Sequence, residues 1–166
     1  MAEEAWLSGK LDGFSPLLMP VAHALRQAIV DLEKSATDLS EEELTAKPSG
    51  APSVAFHLRH ITGSVDRLLT YARNENLSDA QFEFLKNETA ETSAFDAEEL
   101  VAQAASAIEN LLRFCQTVSP EQLFEDRFVG RKRLPTNVFG LLFHIAEHTA
   151  RHIGQIITTV KIVRRK

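Results

Sequence analysis

The chain has 166 residues, 44% of them apolar and 25% charged, which is the composition of an ordinary globular protein. That length suits one domain with a sizeable core, spanning residues 1–166. The net charge of -5 argues against nucleic acid as the main partner, because binding to a duplex needs a basic face. The acidic start lacks the apolar segment of a signal peptide, and no apolar run approaches the roughly 20 residues of a membrane span. We therefore expect a cytoplasmic protein that binds neither nucleic acid nor membranes.

Four long segments repeat apolar residues with the period of an α-helix. The first follows Ser15, a favoured N-cap residue, and has a proline at its first helical position. The segments span Pro16 to Ala36, Pro52 to Arg73, Ala97 to Val118 and Asn137 to Val163. Amphipathic helices of this length with polar outer faces favour an all-α fold, a four-helix bundle with antiparallel packing as the default.

The connections between the long segments carry short helical turns of their own. Each begins with a capping box, a serine followed three residues later by Glu or Gln, at Ser40, Ser78 and Ser119. Strand signals are weak. The longest candidate is Asp126 to Val129 before Gly130, which is too short to build a sheet.

The fourth segment holds three of the six histidines, at spacings of four residues. With 100° per residue, His152 lies about 20° from the centre of the apolar stripe, His148 about 60° and His144 about 100°. Two inward imidazoles one turn apart each need a polar partner, and a shared metal ion would serve both. The alternative is that hydrogen bonds satisfy them as core histidines.

The second segment offers a further ligand in His57 or His60. The same helical wheel places His57 about 70° from the stripe centre and His60 about 130°, and so favours His57 as the inward residue. A site that opens to a cleft would instead use the flank of the stripe. His23 stands alone on the first segment, and we interpret it as structural.

Other chemistries find little support. A di-iron bundle needs two Glu-x-x-His motifs, and neither these nor a phosphate-binding loop, a nucleophile elbow or a Cys-x-x-Cys pair is present. The single cysteine, Cys115, lies among leucines, and we interpret it as a small buried hydrophobe.

Two motifs resemble those of a known family. The stretch from Ser53 to Tyr71, which contains His57-Leu-Arg-His60-Ile-Thr-Gly63, resembles the second helix of the DinB superfamily. The stretch His148-Thr-Ala-Arg-His152-Ile-Gly-Gln155 resembles its last helix. The resemblance implies an up-down-down-up four-helix bundle, commonly a homodimer. It also implies a divalent transition metal held by His60, His148 and His152. Zinc or nickel is the metal we expect first, and iron comes after them.

Relatives of this fold include thiol S-transferases, which activate a low-molecular-weight thiol on the metal. The resemblance therefore implies a metal-dependent transferase or hydrolase that acts on a small molecule, with a non-enzymatic metal-binding or stress-related interaction bundle as the alternative. No catalytic residue follows from the sequence. Gln155 and His57 lie on the flank shared with the ligands, whereas Glu147 and Arg151 fit a solvated ion pair better than a catalytic role.

Overall fold

The computed structural model describes residues 4–90 and 95–164 of the chain. Within these ranges it contains six α-helices and one β-hairpin. The helices are α1 (Met19–Ala36), α2 (Glu41–Thr45), α3 (Val54–Ala72), α4 (Asp79–Asn87), α5 (Ala97–Thr117) and α6 (Val138–Val163), and the strands are β1 (Asp126–Val129) and β2 (Leu134–Asn137). The predicted all-α bundle is confirmed, and α1, α3, α5 and α6 are its four long helices.

Local capping explains where the long helices begin. The side chains of Ser53, Asp96 and Asn137 accept hydrogen bonds from the backbone N–H groups three residues on, at the starts of α3, α5 and α6. Ser40 and Ser78 form complete capping boxes with Glu43 and Gln81, and these open α2 and α4. The predicted boundaries therefore agree with the structure to within three residues, the largest difference being at Pro16–Leu18, a 3-10 turn before α1.

Contacts between the long helices show the directions in which they run. His57 and His60 of α3 face His152 and His148 of α6, in reverse order along the chain, so these two helices are antiparallel. The guanidinium of Arg73 lies over Phe114, 5.7 Å from the ring centre, where both α3 and α5 end.

Arg164, just after α6, pairs with Asp38 just after α1, 2.9 Å apart. Both pairs, α3 with α5 and α1 with α6, therefore run parallel. The default antiparallel packing holds for α3 and α6, and the whole is the up-down-down-up arrangement that the resemblance implies.

The core lies between these four helices. Leucines of α1 meet aliphatic residues of α3, α5 and α6, and the largest side chains that are fully buried include Leu25, Leu58, Ile108 and Ile156. Burial of each such side chain contributes about 1.5–3 kcal/mol to folding. None of the helices in the described ranges has the length and apolar content needed to cross a membrane.

The connection between α5 and α6 contains the one predicted strand that the structure pairs. Asp126–Val129 forms an antiparallel ladder with Leu134–Asn137 across a turn with Gly130 at φ 68°. The sequence did not indicate the second strand because it contains Pro135, which cannot donate to a ladder and is tolerated here in a two-stranded sheet. Asn137 ends the hairpin and caps α6, so the hairpin leads directly into the helix that carries His148 and His152.

Candidate metal centre

Three histidines from two antiparallel helices meet at one place on the flank of the bundle. The Nε2 atom of His148 lies 3.4 Å from that of His60 and 3.2 Å from that of His152. One ring nitrogen from each residue falls within 4.8 Å of the other two, and all three side chains are half-buried. The structure thus brings together the three residues that the resemblance implies as metal ligands.

His60 is held from behind by a buried carboxylate. Its Nδ1 lies 3.0 Å from Oε2 of Glu88, which follows α4 and is 4% exposed. Because the ionised carboxylate can only accept, Nδ1 of His60 is the donor, and in the neutral form of the ring Nε2 is then the nitrogen with a free lone pair. The ring also stacks on Phe56, with centroids 5.6 Å apart. The imidazole is therefore fixed in both orientation and tautomer.

The carboxylate of Glu88 has its own partner on α3. Its other oxygen, Oε1, lies 2.6 Å from NH1 of Arg67, and this ion pair is nearly buried. Burial alone would raise the pKa of Glu88, but hydrogen bonds from His60 and Arg67, together with the charge of Arg67, outweigh it and hold that pKa below its usual range. The carboxylate is therefore ionised at neutral pH, with its charge balanced by Arg67.

Two further residues of α3 make room for Glu88 and anchor it. A Cβ at Gly63 would lie 2.5 Å from Oε1 of Glu88, so only glycine admits the carboxylate here. Arg59 donates to the backbone carbonyls of Asn87, Glu88 and Ala90 at distances of 2.6–3.2 Å, and thus caps the end of α4.

His152 is also held from behind, by His57. The two Nδ1 atoms are 2.8 Å apart, so one must donate and the other accept. His57 is 2% exposed, and its Nε2 is buried with no hydrogen-bond partner among the described residues. If Nδ1 of His152 donates, its Nε2 is free, as for His60. His57 therefore lies behind the cluster, while His60 faces it. The more deeply buried histidine of α3 is thus not the one that belongs to the cluster.

These contacts bear on whether the three residues suit a metal ion. Burial, reinforced by the neighbouring histidines, lowers the pKa of both His148 and His152 to about 4, so both are neutral at physiological pH. Neutral imidazole is the form that binds metals, and an outer hydrogen bond to Nδ1 is the usual support of such a ligand. Only His148 lacks that support among the described contacts, so its tautomer is free to adjust. The donor set fits a divalent transition metal.

The remaining predicted residues lie outside this group. His144 and Arg151 are exposed and both pair with Glu147, at 2.7 and 2.8 Å, as expected of a solvated ion-pair face. Gln155 is exposed, and none of the described contacts joins it to the histidines. His23 is buried on α1, apart from the cluster.

The two motifs and the fold have a counterpart among known families. A family model described as the DinB superfamily matches residues 24–156, which include α3, most of α6 and all three clustered histidines. The chain belongs to the DinB superfamily. No curated protein sequence matches it. The membership, together with the three-histidine group, is compatible with metal binding.

Sequence reasoning missed Glu88 and Arg67. A signal for Arg67 was present, because Gly63 and Arg67 follow His60 at i+3 and i+7 and so share its helix face. A glycine within a helix and a charged residue on the same face indicate that a polar side chain from another element packs against that face. Glu88 itself is 28 residues from His60, and nothing local marks it.

Proposed function

We propose that this DinB superfamily protein is a metal-dependent enzyme that transfers a low-molecular-weight thiol to a small molecule, with hydrolysis as the related possibility. The observation that carries the proposal is the convergence of His60, His148 and His152 at a half-exposed position. These three residues would hold zinc or nickel, or else iron. When bound, such a metal would act as a Lewis acid that favours the deprotonated form of a coordinated thiol or water.

The charges around the histidines support a thiolate as substrate. Imidazole binds a metal in its neutral form, and the nearby carboxylate of Glu88 is balanced by Arg67. The chain therefore adds no net negative charge to the ligand set, which favours an anionic ligand from solution. The expected cytoplasmic location fits this substrate, since the cytosol keeps thiols reduced.

The described carboxylates near the histidines are poorly suited to act as general bases, which favours thiol transfer over hydrolysis. Among the described residues, the two carboxylates nearest to the ligands in space or sequence are Glu88 and Glu147. Both are engaged by cationic or histidine partners, and their pKa values are lowered, so neither is poised to take up a proton near neutral pH. A thiol that arrives as a thiolate needs no such base.

The first test is metal analysis of protein purified without a histidine tag. We expect about one equivalent of a transition metal per chain, whereas less than about a tenth of an equivalent after reloading would reject the proposal. His60→Ala and His148→Ala should each lose the metal. His144→Ala is the matched control, because that exposed histidine lies on the same helix but outside the group.

Activity is tested on the metal-loaded protein with thiols and a chlorinated or epoxide acceptor. Turnover that disappears in His148→Ala supports the transferase. Full metal occupancy without turnover over a range of thiols would support the alternative, a non-enzymatic metal-binding or stress-related bundle.

We also propose that the protein forms a homodimer, as the resemblance implies. The groove between α1 and α6 is lined mainly by apolar side chains, and Trp6 beside it is 64% exposed. Such a surface suits burial against a second copy. Light scattering tests it, since a dimer has twice the chain mass of 18.5 kDa.

A further inference from the structure

Glu88 lies between two groups that can only donate to it. On one side is the guanidinium of Arg67, which has no acceptor atom, and on the other is Nδ1 of His60. A carboxylate has acceptors on both oxygens, so Oε2 faces Nδ1 of His60 while Oε1 forms the ion pair with NH1 of Arg67. The arrangement leaves His60 only one tautomer, with the proton on Nδ1 and the lone pair of Nε2 facing His148.

We propose that Glu88, held in place by Arg67, is a positioning residue that presets His60 for metal binding by fixing its tautomer. The inference rests on the proposed function for its purpose, but the tautomer itself is a property of the metal-free chain. Glu88 would touch neither metal nor substrate, and would act only through His60.

The surroundings of the carboxylate support a dedicated position. Gly63 leaves the space that Oε1 of Glu88 occupies, and Arg59 ties three carbonyls around Glu88 to α3. The carboxylate is almost fully buried, although an ion pair alone could form at lower cost on the surface. Among the described residues, the contact between Glu88 and His60 joins the buried pair to the rest of the site.

Glu88→Gln turns this arrangement into a test. A glutamine has one acceptor oxygen for two donors. The charged guanidinium of Arg67 attracts that oxygen more strongly than a neutral imidazole does. The amide NH₂ group then faces Nδ1 of His60 as a donor, which favours the tautomer with its proton on Nε2. That tautomer has no lone pair where the metal ligand is needed.

The first measurement is long-range ¹H–¹⁵N NMR of the histidine rings in the metal-free protein, at a pH where they are neutral. We expect His60 to carry its proton on Nδ1 in the wild type and mainly on Nε2 in Glu88→Gln. The second is Zn²⁺ affinity by chelator competition, which should fall on the order of 10- to 100-fold.

Two further variants separate positioning from general damage. Glu83→Gln removes an exposed acid from α4, the helix that Glu88 follows; Glu83 contacts Lys86 and Asn87, and the variant should leave both measurements unchanged. In the double variant Arg67→Met/Glu88→Gln, the glutamine oxygen has no competing guanidinium and returns to His60. Tautomer and affinity should therefore recover towards wild type, and replacing both members of a buried pair is compatible with folding.

The outcomes distinguish this inference from the proposed function. If Glu88→Gln keeps the Nδ1–H tautomer and binds Zn²⁺ as the wild type does, the positioning role is wrong while metal binding stands. A double variant no better than the single one would also overturn it, in favour of a merely structural ion pair. If the wild type binds none of the three proposed metals, the proposed function fails, and the NMR comparison still decides what Glu88 does to His60.

Discussion

Replacing Gly63 by alanine should destabilise the protein, although alanine is the better helix former. Gly63 lies within α3, one turn after His60. A Cβ there would stand 2.5 Å from Oε1 of Glu88 and 2.6 Å from both NH1 of Arg67 and Cε1 of Phe84. Arg67 and Glu88 are held from several sides, so a methyl group must push the ion pair apart or displace the end of α4.

The two opposing effects can be compared in size. Glycine to alanine in a helix interior stabilises by about 1 kcal/mol. Disrupting a buried ion pair costs about 3–5 kcal/mol, because each charge loses its partner without regaining water. The net loss is then about 2–4 kcal/mol, which corresponds to a fall in Tm of roughly 4–16 °C for a chain of this size.

Urea denaturation followed by far-UV circular dichroism measures this loss. Gly154→Ala is the control, because Gly154 is an exposed helical glycine and a Cβ there would meet no described atom of the chain within 4 Å. Gly154 also lines the groove proposed above for the dimer, so both variants and the wild type are compared at a concentration where light scattering gives the mass of a single chain. Gly154→Ala should gain up to about 1 kcal/mol. If Gly63→Ala were stabilised by as much as Gly154→Ala, the close packing of Glu88 against α3 would be refuted.

Two other results are expected. The pKa values of His148 and His152 are about 4 in the folded chain but 6.5 for an unperturbed histidine, so the unfolded chain takes up protons first. The stability that these two residues contribute to the metal-free protein is present above about pH 6.5 and lost as the pH falls towards 4. Urea midpoints of unfolding that stay constant over that range, in both the wild type and His148→Ala, would contradict this expectation. Burial raises the pKa of Cys115 to about 12, so a thiol reagent should label it only after unfolding, and rapid labelling of the native protein would show that the thiol is accessible.

The helices could be predicted because their signals are local. Ser53, Asp96 and Asn137 each cap the helix that follows, and a cap acts within one turn of the chain. The directions of the helices are not local. Periodicity reports which face of a helix is buried but not which neighbour covers it, so the parallel pairs needed the family resemblance.

Prediction of the candidate metal centre from the sequence meets the same limit, since periodicity does not report which neighbour covers a helix face. The helical wheel measured distance from the centre of the apolar stripe and correctly placed His57 deeper than His60. The histidine cluster, however, lies at the rim between α3 and α6, where the flank of each stripe meets its neighbour. A residue such as Glu88 is beyond any such pattern, because its place depends on how α4 packs against α3.

Arg59 gives the cluster a mechanical property. Its hydrogen bonds hold the end of α4 against α3, so we expect Glu88 and His60 to move together. His148 and His152 belong to α6, on the other side of a seam between helices. We expect fluctuations in helix packing to change the distance between α3 and α6 at the histidines, but not the hydrogen bond that orients His60. Thermal motion should therefore alter the width of the histidine cluster well before it alters the direction of the His60 ring.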